Sequence, residues 1–249
     1  LGQTYLAEQR VEDAIYHFNR ALERNPYYII THLYMAKAKM LQAQEFMQRN
    51  AGNIEGALAI FSEATEHLER MHDICPMFPN SHDLMARIAS ASAAYVLASD
   101  MPAKEERAEA YWRKAEAHLL EAIHYELENQ GELYRTLGKV RIALGDDDGA
   151  GQALERAVRA DPLDMEVWPL YIDIASKQKR YDRVRNTLWV QIHRLEAMED
   201  VDMDVLATAH LFLANVLEIK EEKPTAIEEA YYKAVQYAPK RLEVWANYA

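Results

Sequence analysis

The sequence predicts an all-α chain of antiparallel helix pairs stacked side by side, and three observations lead there. Small side chains recur in step with bulky ones: Gly138, Ala150 and Ala157 alternate with Tyr134, Leu137 and Leu154 between Tyr134 and Pro162. A proline is followed six residues later by a large ring at Pro26–His32, Pro162–Trp168 and Pro239–Trp245. Half of the 249 residues are apolar, with only 8 Gly and 8 Pro, a helical and globular composition rather than a disordered one.

The stretch from Tyr134 to Pro162 is one complete helix–turn–helix unit. Gly138 falls where the two helices cross, and Ala150 and Ala157 face it, so the backbones approach while Leu154 and Tyr134 fill the space beside them. Gly145-Asp146 breaks the chain between the helices, and Asp161-Pro162 stops the second one. One such pair cannot bury its apolar face alone, so neighbours must stack on it.

Taken in order, the remaining units are variations on that one. Leu1-Gly2, Tyr5, Ala14, Phe18, Ala21 and Pro26 make a first unit that lacks the opening turn of its first helix. The second is stretched: Ala57 follows Ala36 by 21 residues, against 12 between Gly138 and Ala150, which predicts long helices near 27–50 and 53–72 around the turn Asn50-Ala51-Gly52-Asn53. Cys75-Pro76 and Pro79-Asn80 make the next break. An alanine-crowded helix near 81–99 follows, able to sit very close to its neighbours. Asp100-Met101-Pro102 fits the start of a helix near 103–127, with Asp100 as N-cap. Trp168, Tyr171, Val184 and Leu188 mark a fifth unit in which Val184 and Gln191 replace small residues, so that pair should pack more loosely. His210, Ala214, Ile227, Tyr231, Ala234 and Pro239 mark a sixth, with an extra residue fitted between Lys220 and Pro224.

These residues resemble the tetratricopeptide repeat, whose pattern places a Trp, a Leu-Gly pair, two Ala positions and a closing Pro over a period of about 34 residues. Tyr134, His32 and His210 take the Trp place, and Arg141 replaces a family Tyr. The resemblance covers nearly the whole chain and is weakest at 75–110. It implies a single right-handed superhelical solenoid over 1–249, with repeats at about 1–26, 27–73, 79–127, 131–162, 165–198 and 204–239 and a partial one at 240–249. It also implies that the first helices of the repeats line a concave groove, which would carry Lys37, Arg135, Lys139, Ile142, Asp173 and Ser176. Arg135 and Lys139 share one helix face and make a basic spot suited to an acidic side chain or a terminal carboxylate. Some family members clamp such a carboxylate with donors spread over three repeats. The matching places here are Leu170 and Phe212, neither of which can donate, so that clamp is not expected.

The function these features imply is a non-catalytic scaffold that binds a partner peptide or helix in the groove. The alternative is the soluble repeat domain of a larger enzyme or membrane-associated assembly protein. The chain opens in mid-repeat at Leu1-Gly2 and closes on Trp245 and Tyr248, so it reads as a fragment. Its apolar ends at Leu1, Tyr5, Trp245 and Tyr248 offer a route to a homo-oligomer. Lys+Arg is 28 against Asp+Glu 40, a formal net charge of −12 that argues against nucleic acid as a partner. No stretch is long and apolar enough to insert in a membrane. The one cysteine, Cys75, leaves no disulfide framework and fits a reducing, cytoplasmic compartment best, with an extracytoplasmic one open if a parent protein carries a signal or anchor.

No catalytic, cofactor-binding or metal-binding residue is expected. No His pair has the i, i+4 spacing of a helical metal site, and no nucleophile elbow, phosphate loop or dinucleotide fingerprint occurs. His67, His72 and Asp73 are read as an exposed helix end. The acid pairs Glu105-Glu106, Glu221-Glu222 and Asp146-Asp147-Asp148 fall in turns or first helical turns, where they complement the helix dipole. Tyr27-Tyr28, Tyr231-Tyr232 and Trp245 are read as packing between repeats.

Overall fold

The computed structural model describes residues 1–126 and 130–248, with the side chains of 243, 247 and 248 outside the description. Two sequence expectations therefore fall beyond it: the end of the third repeat at 127 and the apolar edge at Tyr248. The described residues form helices and no strand. The chain divides into two compact units, 1–128 and 129–249.

In the first unit α1 (Gly2–Ala7) pairs with α2 (Val11–Arg24), α3 (Ile29–Arg49) with α4 (Ile54–Ile74), and α5 (Pro79–Leu97) with α6 (Lys104–Tyr125). The helices α3 and α4 are each 21 residues long, the lengthening that the wide Ala36–Ala57 spacing predicts, and α5 and α6 have 19 and 22. Asn53 caps α4 by accepting a hydrogen bond from the Gly56 amide at 2.9 Å. Pro79 opens α5 in its first turn. The start of α6 differs from expectation. Asp100 is not its cap; the N-cap is Ala103, in the left-handed region at φ 53°. The turn before it is held instead by Ser99, whose hydroxyl donates to the Val96 carbonyl and accepts from the Met101 amide. Ala86, Ala89, Ser92 and Ala93 are buried in α5, and small side chains there let α6 pack closely along it.

In the second unit α7 (Gln130–Ala143) pairs with α8 (Asp147–Ala160), followed by α9 (Val167–Lys177), α10 (Tyr181–Glu196), α11 (Met203–Ile219), α12 (Pro224–Tyr237) and α13 (Leu242–Tyr248). Gly145 takes φ 74°, a conformation open to glycine, and Asp146 then caps α8 through the Gly149 amide at 2.9 Å. Each unit is a solenoid of antiparallel helix pairs. Within the second, α9 neighbours α11 and α8 neighbours α10, so first and second helices form separate layers.

The helix crossings rest on missing side-chain atoms. A Cβ on Gly138 would lie 2.5 Å from Leu154 Cδ2, and one on Gly2 would lie 2.5 Å from Phe18 Cε1. The two glycines stand sixteen residues before their partners in both units, so one steric solution is used twice. In contrast, α9 and α10 approach closely at few points. Val184 and Gln191 are buried where small residues would draw the helices together.

The proline-to-ring step now has a physical cause. His32 Nε2 lies 2.7 Å from the Pro26 carbonyl, and the Trp245 Nε1–H donates to the Pro239 carbonyl at 2.9 Å. A fourth pair, overlooked in the sequence although the same spacing marks it, is His82 Nε2 at 3.2 Å from the Pro76 carbonyl. In each case the ring stands three residues inside its helix and its N–H reaches back to a carbonyl in the preceding turn. Trp168 is the exception. Its helix starts only one residue earlier, at Val167, and its fully buried Nε1 finds no protein partner.

Candidate partner-binding surface

The structure places the six predicted groove residues in unlike settings. Lys37 belongs to the first unit, where its ammonium lies 5.4 Å from the centre of the Tyr34 ring. The other five belong to the second. Arg135, Lys139 and Ile142 follow one face of α7, and Asp173 and Ser176 follow α9.

Arg135 does not stand free on that face. Its guanidinium is 2.9 Å from Asp164 and 3.0 Å from Glu166, both in the loop before α9, and 3.9 Å from Glu132. It ties α7 to that loop. Asp173 pairs with Lys177 at 2.9 Å. Ser176 is half-buried, and its carbonyl accepts from the Tyr181 hydroxyl at 3.3 Å. Ile142 is half-buried against the core of the second unit. Lys139 is exposed and makes no ion pair with a described residue. Of the basic pair on α7, one charge is thus spent internally and the other is available to a partner.

Aromatic exposure also differs from expectation. Tyr231 is buried, but Tyr27, Tyr28, Tyr232 and Trp245 are at least 45% exposed, so those four are not inter-repeat packing. At the chain ends Leu1 is exposed and Tyr5 is half-buried against α2.

The histidines carry the least expected arrangement. His67 and His72 are not an exposed helix end: both rings turn inward because first-helix rings lie opposite them. His32 Nδ1 lies 3.1 Å from His67 Nδ1. With the His32 Nε2–H donating to Pro26, its Nδ1 is a bare acceptor and His67 supplies the proton. Burial, then the charges of His32, Arg70 and Lys39, lower His67 to about 4. His72 packs edge-on against His82 at 4.8 Å, and His82 lies 6.0 Å from His118 and stacks on Tyr125 at 5.8 Å.

In the second unit the equivalent ring meets a carboxylate. His210 is buried, stacks on Tyr237 at 5.5 Å and donates from Nε2 to Glu196 at 3.2 Å. Glu196 also accepts from the Tyr237 hydroxyl at 3.1 Å, lies 2.8 Å from His193 Nδ1 and sits 3.7 Å from the Lys233 ammonium. Burial works to raise its carboxyl. Hydrogen bonds from His193 and His210, the charge of Lys233 and the Tyr237 hydroxyl outweigh it and hold the group at about 2. The two partners of this contact shift in ways an ion pair would not: burial lowers His210 more than Glu196 raises it. The contact is therefore a neutral imidazole donating to a carboxylate at pH 7. It fastens α10 to α11 and α12, and nothing in the local sequence of Glu196 announces it.

Glu155, buried in α8, is a second such fastening. It lies 2.6 Å from Arg159 and 2.5 Å from Arg183, and Thr187 donates to it at 3.5 Å while accepting from Tyr171. These carboxylates are committed to holding helices rather than poised in a water-poor cleft for proton transfer. No three of the described His, Cys, Asp or Glu side chains converge as metal ligands. No described helix is long and apolar enough to cross a membrane.

A fold of stacked helix pairs with its polar groups engaged in fastening defines a helical repeat protein. Residues 131–174 match the tetratricopeptide repeat family model, and that segment is a tetratricopeptide repeat. Among solved structures it is similar to BtubC (BKLC) from P. vanneervenii, at 17% identity over 99% of this chain and 91% of that one, with a TM-score of 0.57. It is also similar to pilF of Pseudomonas aeruginosa, at 16% identity over 99% and 92%, TM-score 0.52. A third is MamA, at 14% identity over 89% and 95%, TM-score 0.52. At such identities the likeness is one of fold alone. No curated protein matches the chain in sequence. The fold is that of protein-interaction scaffolds generally, and proteins built of these repeats are generally non-catalytic.

Proposed function

We propose that the chain is a non-catalytic scaffold that engages a partner peptide or helix along the first-helix layer of the second unit, centred on α7. The observation that carries this reading is Lys139. It is an exposed cation without an ion pair among the described residues, one turn from the half-buried apolar Ile142, on a helix whose other groove cation is already neutralised. An unpaired charge beside apolar surface suits a segment with one acidic group and one apolar anchor. Asp173 and Ser176 on α9 would continue the contact. Photo-crosslinking from position 143, one turn beyond Lys139 on α7 and exposed, compared with position 152 on α8, tests the assignment. Crosslinks to a partner segment from 143, lost in Lys139→Glu, are expected. Equal labelling from 152, or capture that survives Lys139→Glu together with Ile142→Ser, removes the groove from the proposal and leaves the scaffold.

A further inference from the structure

The first unit holds an open pocket of about 700 Å³ between α4, α5 and α6. We propose that it takes a cationic side chain, arginine or lysine, from a partner protein. The inference rests on the scaffold reading and adds a second contact with its own chemistry.

Three features point to a cation. Glu69 and Asp73 on α4 and Glu121 on α6 line the pocket, and none makes an ion pair with a described residue. Three carboxylates around one opening, with no cation of the described residues paired to them, concentrate negative charge there. The second feature is independent of the first. His82 on the pocket floor is 4% exposed, and its Nε2–H is used on the Pro76 carbonyl. Its Nδ1 is then a bare acceptor with no partner among the described residues, and His72 Nδ1 beside it has none there either. A buried acceptor left without a donor costs free energy that an incoming N–H group recovers. Burial keeps both His82 and His118 below the ordinary imidazole value, so these rings accept rather than repel a cation at neutral pH.

The third feature is the wall. Met85, Leu120 and the Tyr125 ring give apolar and aromatic surface leading to the acceptors. That is the profile of a long basic side chain, with a hydrocarbon stem, a cationic head and an affinity for a ring face. A guanidinium has enough donors to meet carboxylates and an imidazole nitrogen together. A divalent metal fits less well. The three rings stand edge-on and tilted to one another at 4.8 and 6.0 Å rather than converging on a point.

The experiment uses the whole chain and a small probe, so that its failure removes this pocket without touching the scaffold reading. N-acetyl-arginine methylamide is titrated while the histidine ring proton signals are followed by NMR, beside the uncharged citrulline analogue. Arginine should shift the His72, His82 and His118 signals saturably and leave His67 unmoved. Citrulline should not shift them. Glu69→Gln with Glu121→Gln, both exposed positions, should weaken the arginine probe by about tenfold with an unchanged far-ultraviolet CD spectrum. Unmoved signals up to about 50 mM arginine probe, an equal response to citrulline, or zinc shifting the three rings where arginine does not, would each overturn the proposal.

Discussion

The crossing of α7 and α8 offers a direct trial of the steric argument. Placing a methyl on Gly138 puts Cβ 2.5 Å from Leu154 Cδ2 and 2.6 Å from its Cγ. Leu154 is fully buried, so neither the branch point nor the methyl has anywhere to retreat. Such overpacking costs about 1–3 kcal/mol, and the better helix propensity of alanine returns about 1 kcal/mol. Gly138→Ala should therefore destabilise the second unit by about 1 kcal/mol, and by no more than about 2 kcal/mol. Leu154→Ala alone should cost about 3 kcal/mol through lost burial and the cavity left behind. In the Leu154→Ala background the obstructing atoms are gone, and Gly138→Ala should become neutral or stabilising by about 1 kcal/mol. The cycle thus carries a coupling of about 2 kcal/mol. Urea unfolding read by tryptophan emission measures it, since Trp168, Trp189 and Trp245 report on the second unit. Additive effects, with coupling below about 0.5 kcal/mol, would refute the idea that Gly138 exists to admit Leu154.

Other expectations concern the polar fastenings. Because His67 is held near 4 in the fold but titrates near 6.5 when unfolded, the unfolded chain binds more protons between those values. The first unit should lose about 1–2 kcal/mol as pH falls from 6.5 to 4, after allowance for solvent at the half-buried ring, and His67→Gln should flatten that slope in urea titrations. Glu196 has the same sense in a lower window, between about 2 and the ordinary carboxyl value. Its stabilisation is present above the ordinary carboxyl value and is lost only as pH falls towards 2, so the His210 contact should survive to pH 4, visible as an unchanged Tyr237 ring environment by NMR. Glu155→Ala frees Arg159 and Arg183, both more than half exposed to solvent, and takes away the acceptor of Thr187, so it should cost about 1 kcal/mol by thermal unfolding.

The sequence by itself determined the helix pairing, because the signals that set it are local. Gly145 and Asp146 end one helix and cap the next within a few residues, and Gly138 with Leu154 records a crossing in one short stretch. The long second pair was readable from the spacing of Ala36 and Ala57. Even His82 was within reach, since Pro76 stands six residues before it. What only the tertiary structure decided are the contacts between groups distant along the chain. Arg135 looked like a groove cation, but folding brings the Asp164 loop against it and uses the charge. His67 and His72 looked like an exposed helix end until rings from neighbouring helices came to face them, and Tyr27, Tyr28 and Tyr232 looked like packing but stand largely in solvent. A periodic pattern states which side chains share a face. It does not state which polar group from another helix will arrive opposite, and at distances near 3 Å that arrival sets charge, protonation and availability to a partner.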